Sequence, residues 1–419
     1  MQSFSRATPY RRNIIAICCL LVLFVPNRLR LRALEYSDAM KALLIMPLRR
    51  EGSRCAAQIV VTIIIALACT ALLHAQEKPS GDCTPGFPFK QSWWGADAAY
   101  SIPLPDGRSV WIFGDTLYGD KRVVDGNDPR MVRNSIGIST CKDGVWAIDY
   151  VIRHAHNGQP EDFFHAQHPH TWYWALDGFF YHGDLWVTLL CVRNSPRRTP
   201  AAMDFETCGT DLAKISGLEN DPQRWSMRYF PLVPDGVHAY PSATAVVEGE
   251  YAYIFALLET GSRPMLLTRI PLNGLDAPAE HLQYLSRDGS WKAGLKPADA
   301  AHVMKSGNTE MTVRYHPLLK EWVAVMNDPN LSTGKIVVRT APQITGPWSP
   351  DKVVYRIPEM QKSHAGHDKE IFCYAAKEHP ELRRPGSLLI TYACNAMKPQ
   401  KLTTDLGIYF PKVVRVPFQ

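Results

Sequence analysis

The segment Trp93–Thr116 reads WWGADAAYSIPLPDGRSVWIFGDT and contains two apolar runs separated by a short polar turn. The first run ends near Leu104, the second begins near Val110, and Pro105-Asp106-Gly107 lies between them. Runs of aromatic and β-branched residues on both sides of an Asp-Gly turn are typical of a β-hairpin. The segment therefore predicts two antiparallel strands joined by a tight turn.

Four more hairpins of the same kind follow along the chain. The five begin near residues 100, 172, 242, 311 and 371, which are 60 to 72 residues apart. A repeat of this size that contains strands and no strong helical periodicity indicates the blades of a β-propeller. The sequence therefore predicts an all-β, five-bladed β-propeller. A β-sandwich built from similar hairpins is the alternative.

Strands are also predicted outside the five hairpins. The segment 335–340 precedes a stretch rich in proline and glycine, which suits the outer strands at the exposed edge of a blade. The segments 406–410 and 413–416 are predicted to be strands that complete the last blade.

The first 75 residues differ from the rest of the chain. The apolar run Ile59–Leu73 follows three nearby arginines and precedes Ala75, an order typical of a secretory signal peptide. We therefore predict a leader over residues 1–75 and a propeller domain over residues 76–419. A protein exported in this way would be secreted or periplasmic, with no membrane attachment after signal removal.

The start of the leader has two interpretations. Met46 stands where a natural signal peptide would begin, so residues 1–47 are interpreted as an extension of the start site. The alternative is that both apolar stretches, 14–25 and 59–73, are genuine anchor segments.

The positive charge of the chain belongs to its leader. Residues 1–75 hold 10 of the 46 Lys and Arg and 3 of the 40 Asp and Glu, which leaves 36 − 37 = −1 for residues 76–419. A domain with this balance has no basic surplus with which to bind nucleic acid. We expect a monomer with no nucleic-acid partner.

Six of the ten cysteines follow the leader, and an even number in an exported chain permits disulfides. Cys191 with Cys208 and Cys373 with Cys394 are the simplest pairs, because each would close a local loop. Buried free thiols are the alternative. No cysteine or histidine pair has the spacing of a zinc site, and neither a metal nor an organic cofactor is predicted.

Two aspartates occupy the open end of the first hairpin. With the turn centred near Asp106 and Gly107, paired positions sum to about 212 or 213, and Asp97 and Asp115 sum to 212. Directly opposed carboxylates repel, which raises the pKa of one of them. One group could then act as an acid while the other stays ionised, as glycoside hydrolysis requires. The alternative is that each aspartate only hydrogen-bonds its own turn.

In a propeller the inner strands begin around a central cavity, so the other blades would add groups to the same site as Asp97 and Asp115. Glu310 is predicted as a third catalytic carboxylate. Aromatic rings could stack on sugars, and polar side chains could bind their hydroxyls. The predicted substrate-binding residues are Trp94, Asn134, His170, Trp172, His238, Tyr240, His367, Asp368 and Glu370. Core packing or loop hydrogen bonding is the alternative for each of them.

The segments 94–97 and 113–116 resemble the opening blade of a bacterial family long labelled as a domain of unknown function, some members of which are endo-D-arabinanases. The similarity continues through residues 133–135, 309–311, 346–348, 374–376 and 392–395, and it covers most of residues 90–419. The resemblance implies a five-bladed propeller similar to other furanosidase propellers. It also implies that Asp97 and Asp115 are the acid and base, in an order that stays open.

We therefore expect an exported glycoside hydrolase that cleaves a poly- or oligosaccharide, for which an arabinan is one candidate. The alternatives are a non-catalytic carbohydrate-binding propeller and a protein-interaction scaffold. Fold analogy alone does not separate these functions or identify the glycan.

Overall fold

A computed structural model describes residues 83–119, 130–195, 205–365, 367–398 and 400–418 of the chain. The predicted leader, with its signal peptide and its alternative start, lies outside these residues. Within them, we find no helix with the length and apolar character needed to span a membrane.

Five antiparallel sheets form the five blades, and the prediction of a five-bladed propeller is confirmed. Blade one contains β1 (Trp93–Pro103), β2 (Arg108–Tyr118), β4 (Ser135–Lys142) and β5 (Val145–Val151), with the short β3 (Met131–Val132) beside β2. A two-stranded ribbon, β6 (Arg153–His154) and β7 (Pro160–Glu161), leads to blade two. Blade two contains β8 (Thr171–Tyr181), β9 (Asp184–Asn194), β10 (Phe205–Ser216) and β11 (Ser226–Val233).

The remaining blades follow the same order from the inside outward. Blade three contains β12 (Ala239–Glu248), β13 (Tyr251–Leu258), β14 (Met265–Pro271), β15 (Gln283–Leu285) and β16 (Trp291–Ala293). Blade four contains β17 (Thr312–His316), β18 (Glu321–Asn327), β19 (Lys335–Ala341) and β20 (Lys352–Arg356). Blade five contains β21 (Ile371–Glu378), β22 (Ser387–Ala396) and β23 (Lys412–Pro417). Two short helices, α1 (Pro278–His281) and α2 (Lys401–Thr404), lie in connections.

The first strand of each blade lies at the centre of the ring. Strand β1 contacts β8, β8 contacts β12, β12 contacts β17, β17 contacts β21, and β21 contacts β1. Blades one and five close the ring by packing side chains, because β1 pairs with β2 and β21 pairs with β22. Trp93, Trp111 and Phe113 of blade one share a buried apolar cluster with Leu382 and Leu389 of blade five.

Two details of the strand predictions are wrong. The segment 406–410 is a turn, in which the Gly407 amide donates to the Asp405 side chain at 2.8 Å and Tyr409 has a φ of 61°. The segment 335–340 belongs to β19, which lies one strand inside the blade edge because β20 pairs with its outer side. The segment 413–416 is part of β23, as predicted.

Three disulfides link neighbouring strands or segments. The bonds Cys191–Cys208 and Cys373–Cys394 confirm the two expected pairs. Cys83–Cys141 is the third, and it attaches the start of the described chain to β4.

Bulges interrupt four of the inner strands and turn polar side chains toward the centre. Register shifts occur in β1, β8, β12 and β21. Ala98, Ala99 and Ala375 adopt φ angles of 59°, 64° and 61° at two of these bulges. Asp97 and Asp177 lie within bulges, and a bulge re-aims the side chains that it carries. The bulges of β1 and β8 therefore position two of the acidic side chains of the inner strands.

Candidate active site

Three carboxyl groups, from Asp97, Asp115 and Glu310, lie close enough to influence one another. Asp97 is in β1, Asp115 is in β2, and Glu310 lies two residues before β17. The charges of Glu310 and Asp115 both raise the pKa of Asp97. Blades one and four therefore bring all three predicted catalytic carboxyls into one site.

The direct pairing of Asp97 with Asp115 is wrong in its geometry. The hairpin pairs Ala96 with Thr116, a register sum of 212 as predicted, and then Ala98 with Phe113. At the bulge between these pairs, Asp97 stands opposite two residues of β2, Gly114 and Asp115, and its carboxyl group lies over Gly114. An added Cβ at Gly114 would collide with Asp97 Oδ1. The carboxyl group of Asp97 can therefore occupy this position only because residue 114 is a glycine.

Asp97 has a neutral hydrogen-bond partner from blade five. The Tyr374 hydroxyl donates to Asp97 Oδ2 at 2.5 Å, and Asn395 Nδ2 donates to the Tyr374 hydroxyl at 3.3 Å. Burial is the largest cause that raises the pKa of Asp97 well above its usual value, followed by the charges of Glu310 and Asp115. Asp97 is therefore the carboxyl most inclined to hold a proton.

Asp115 instead faces a cation. Arg133 Nη1 lies 3.5 Å from Asp115 Oδ2, and the guanidinium stacks 4.6 Å from the centre of the Trp172 ring. Burial raises the pKa of Asp115 to about 6, and the positive charge of Arg133 opposes that rise. The charge of Arg133 thus favours the ionised form of Asp115, whereas burial and the neighbouring negative charges disfavour the ionised form of Asp97.

Glu310 is paired with a buried lysine. Lys377 Nζ donates to Glu310 Oε1 at 3.1 Å and to the Ala375 carbonyl at 2.8 Å, and it lies 4.5 Å from the Tyr100 ring centre. The Lys377 side chain is fully buried, and burial lowers its pKa although Glu310 opposes the shift. The Tyr100 hydroxyl accepts from the Met311 amide at 3.3 Å, which fixes the segment that carries Glu310.

Sequence reasoning missed Lys377 and the contact of Tyr374 with Asp97. Lys377 had a detectable signal, because a lysine inside an otherwise apolar inner strand is almost never buried without a partner. Tyr374 had no such signal, since an aromatic residue in a strand usually indicates packing alone.

Two of the predicted binding residues are held in structural contacts. Trp94 Nε1 donates to the Gly119 carbonyl at 2.6 Å. Asn134 is fully buried, and its amide donates to the Tyr173 carbonyl at 3.0 Å and accepts from the Phe164 amide at 2.7 Å. The buried contacts of Asn134 explain its presence without a substrate.

The binding residues predicted from blades two and three lie in different surroundings: one is at the carboxyl site, two are exposed and one is buried. Trp172 lies at the carboxyl site through its contact with Arg133. His170 is exposed in the turn before β8, and His238 is exposed beside Glu259, whose carboxylate is 3.6 Å from its ring. Tyr240 is buried, and burial raises the pKa of its hydroxyl.

The blade-five residues form ion pairs at the start of β21. Lys401 binds Asp368, Lys398 Nζ lies 2.5 Å from Glu370, and the His367 ring bonds the Glu359 carbonyl at 3.1 Å. None of these three contacts involves Asp97, Asp115 or Glu310, so the part of the blade-five residues in binding stays a prediction.

One group of potential metal ligands occurs in the described part of the chain, and it consists of Glu359, Cys373 and Cys394. The two cysteines form a disulfide, so their sulfurs do not offer thiolate ligands.

The fold and the site define a class: a five-bladed β-propeller with clustered carboxyl groups where blades one, four and five meet. Residues 87–417 match the family described as Domain of unknown function (DUF5005), and the chain belongs to this family. The resemblance to a family of unknown function is thereby confirmed. No curated protein matches the chain in sequence.

Solved structures share the fold. A "putative hydrolase" from Bacteroides ovatus ATCC 8483 superposes with a TM-score of 0.59 at 20% identity, covering 78% of this chain and 86% of that one. An exo-β-1,3-galactanase from Phanerochaete chrysosporium superposes with a TM-score of 0.42 at 10% identity, covering 78% and 61%. A xylan β-1,4-xylosidase from Bacillus halodurans C-125 gives 0.41 at 8% identity, covering 73% and 50%.

Proposed function

We propose that this protein is an exported glycoside hydrolase in which Asp97 is the general acid and Asp115 is the carboxylate that acts at the sugar. The observation that carries the proposal is the contrast between their partners. Asp97 accepts from the neutral Tyr374 hydroxyl, whereas Asp115 faces the Arg133 guanidinium. Two neighbouring carboxyls with opposed environments are what hydrolysis of a glycosidic bond requires.

The proposed reaction assigns each group one task. Asp97 gives its proton to the glycosidic oxygen as the bond to the leaving sugar breaks. Asp115 acts at the anomeric carbon, directly or through a water molecule that it deprotonates. Glu310 pairs with Lys377, and its charge raises the pKa of Asp97, which favours the protonated form of the acid. Trp172 and Arg133 offer a stacked surface next to the reacting groups.

The substrate in this proposal is a poly- or oligosaccharide, and an arabinan is one candidate. Export is proposed from the apolar run at residues 59–73 and the small residues that follow it. No cofactor is needed, because acid and base are both supplied by side chains.

The test is a screen of purified protein against arabinan, xylan and galactan, with release of reducing sugar as the readout. Asp97→Asn and Asp115→Asn should each lower kcat by a factor on the order of 10²–10⁴, because each removes a group that transfers a proton or acts at the sugar. Asp143→Asn is the control, since Asp143 is exposed in a turn of blade one. Full activity in both site variants would refute the proposal, and glycan binding without hydrolysis would favour a carbohydrate-binding propeller.

A further inference from the structure

A cavity of about 460 Å³ lies on blade two. Its walls come from the start of β8, from β9 and β10, from the end of β11, and from helix α1 of blade three. The lining includes none of Asp97, Asp115 and Glu310. Its volume is within the range of roughly 300–1,000 Å³ that is usual for small-molecule sites. The cavity is therefore a separate candidate site.

The lining combines an apolar surface with a few polar groups. Pro231, Val233 and the Cys191–Cys208 disulfide supply the apolar part. Thr171, Arg193 and Asp211 supply polar groups. A sugar ring has the matching character, since it presents an apolar C–H face and an edge of hydroxyl groups.

Asp211 is a buried hydrogen-bond acceptor in the wall of this cavity. The residue is 6% exposed, and its Oδ2 accepts a hydrogen bond from the Tyr173 hydroxyl. In the described residues, its Oδ1 has no protein partner, so this oxygen is available to a ligand. Burial raises the pKa of Asp211 above its usual value, which suits a hydroxyl ligand better than a cation.

The cation in the lining is already neutralised. Arg193 Nε lies 2.8 Å from Glu206 Oε1, and Arg193 Nη1 lies 2.6 Å from Asp235 Oδ2. An anionic ligand would have to compete with both carboxylates for the guanidinium. The cavity is thus suited to an uncharged ligand that hydrogen-bonds.

We propose that this cavity is an accessory site for a sugar unit of a neutral glycan, which it binds through Asp211 and Arg193. Its position supports this, because the lining residue Thr171 precedes Trp172, whose ring stacks on Arg133 at the carboxyl site. The proposal rests on the proposed function for the class of ligand.

The test measures glycan binding without turnover. Affinity electrophoresis of the Asp97→Asn protein in gels that contain arabinan, xylan or galactan gives a dissociation constant for each. Ala279→Trp then places a large ring at an exposed position of the cavity wall. We expect binding about tenfold weaker, which corresponds to ~1.4 kcal/mol. Glu280→Trp is the matched control, because Glu280 is the exposed neighbour in the same helix and is outside the lining.

Asp211→Asn provides a second variant of nearly the same shape. An asparagine oxygen can still accept from Tyr173, so a loss of affinity would report on the ligand and not on the fold. Equal binding by the Ala279→Trp and Glu280→Trp proteins would overturn the proposal, as would the absence of binding to all three glycans. Binding that depends on the cavity, together with no release of sugar by the unsubstituted protein, would support the cavity site and contradict the hydrolase.

Discussion

The roles that we propose for the three carboxyl residues rest on their nearest partners. A lysine neutralises Glu310, an arginine faces Asp115, and a neutral hydroxyl bonds Asp97. The like charges around Asp97 make its ionised form costly, and such unfavourable clusters are typical of functional sites. The different partners of these carboxyl groups lead to two predictions at the scale of single residues.

The first prediction concerns the pH dependence of kcat/KM. The rate should rise as Asp115 loses its proton near pH 6, and it should fall at higher pH, where Asp97 loses the proton that it donates. Because the charge of Arg133 lowers the pKa of Asp115, Arg133→Met should move the acidic limb to higher pH. A pH profile of each protein checks this, with Lys142→Met, a change on the exposed end of β4, as the control. An unmoved acidic limb in Arg133→Met would contradict the assignment.

The second prediction concerns Gly114. Gly114→Ala adds a methyl group where Asp97 Oδ1 lies, so the carboxyl group must move and hydrolysis should fall at least about tenfold, or ~1.4 kcal/mol in the barrier. Gly86→Ala is the control, since an added Cβ there meets no atom within 4 Å. Kinetics with circular dichroism separate loss of activity from loss of folding. Equal activity of the two variants would show that Asp97 does not need its present position.

At the scale of elements, the bulges of the inner strands have more influence on the site than the regular pairs. The first hairpin follows its predicted register sum of 212 over most of its length, and Asp97 occurs where that register shifts. Strand β21 provides an example, because its bulge after Tyr374 separates the hydroxyl that bonds Asp97 from the lysine that bonds Glu310.

The Cys373–Cys394 disulfide supports this part of the site. It joins directly paired residues of β21 and β22, next to Tyr374 and Asn395. Replacing both cysteines by serine should lower the free energy of unfolding by about 2–4 kcal/mol and reduce kcat as well, because the hydrogen bond to Asp97 loses its support. Replacing Cys83 and Cys141 should lower stability but leave kcat of the folded protein unchanged. Denaturant unfolding and kinetics check both, and an unchanged kcat in the first double variant would contradict this role.

At the scale of the molecule, a buried ion pair joins two blades near the centre of the ring, and a hydrogen bond to the same carboxylate adds a third blade. Arg314 Nη2 of blade four donates to Asp177 of blade two at 2.8 and 2.9 Å, and Thr244 of blade three donates to the same carboxylate at 2.6 Å. Asp177 is fully buried. The network holds together blades that share no strand.

Arg314→Met should therefore destabilise the ring. It leaves the Asp177 charge buried without its cation, which typically costs about 3–5 kcal/mol. The double variant Asp177→Asn with Arg314→Met removes both charges and should recover part of that loss. Urea unfolding of the three proteins measures the difference. A single variant as stable as the unsubstituted protein would show that the blades are held by apolar packing alone.

The sequence by itself determined the number and class of the blades, because alternating apolar strands and tight turns are local patterns. It also predicted Asp97, Asp115 and Glu310 as candidate catalytic residues, since acidic residues at the ends of apolar strands stand out. It did not indicate that Asp97 lies in a bulge over Gly114, and it did not connect Lys377 with Glu310 or Tyr374 with Asp97. Those contacts join residues up to 277 positions apart in the sequence, and only the closure of the ring decides which of these side chains meet.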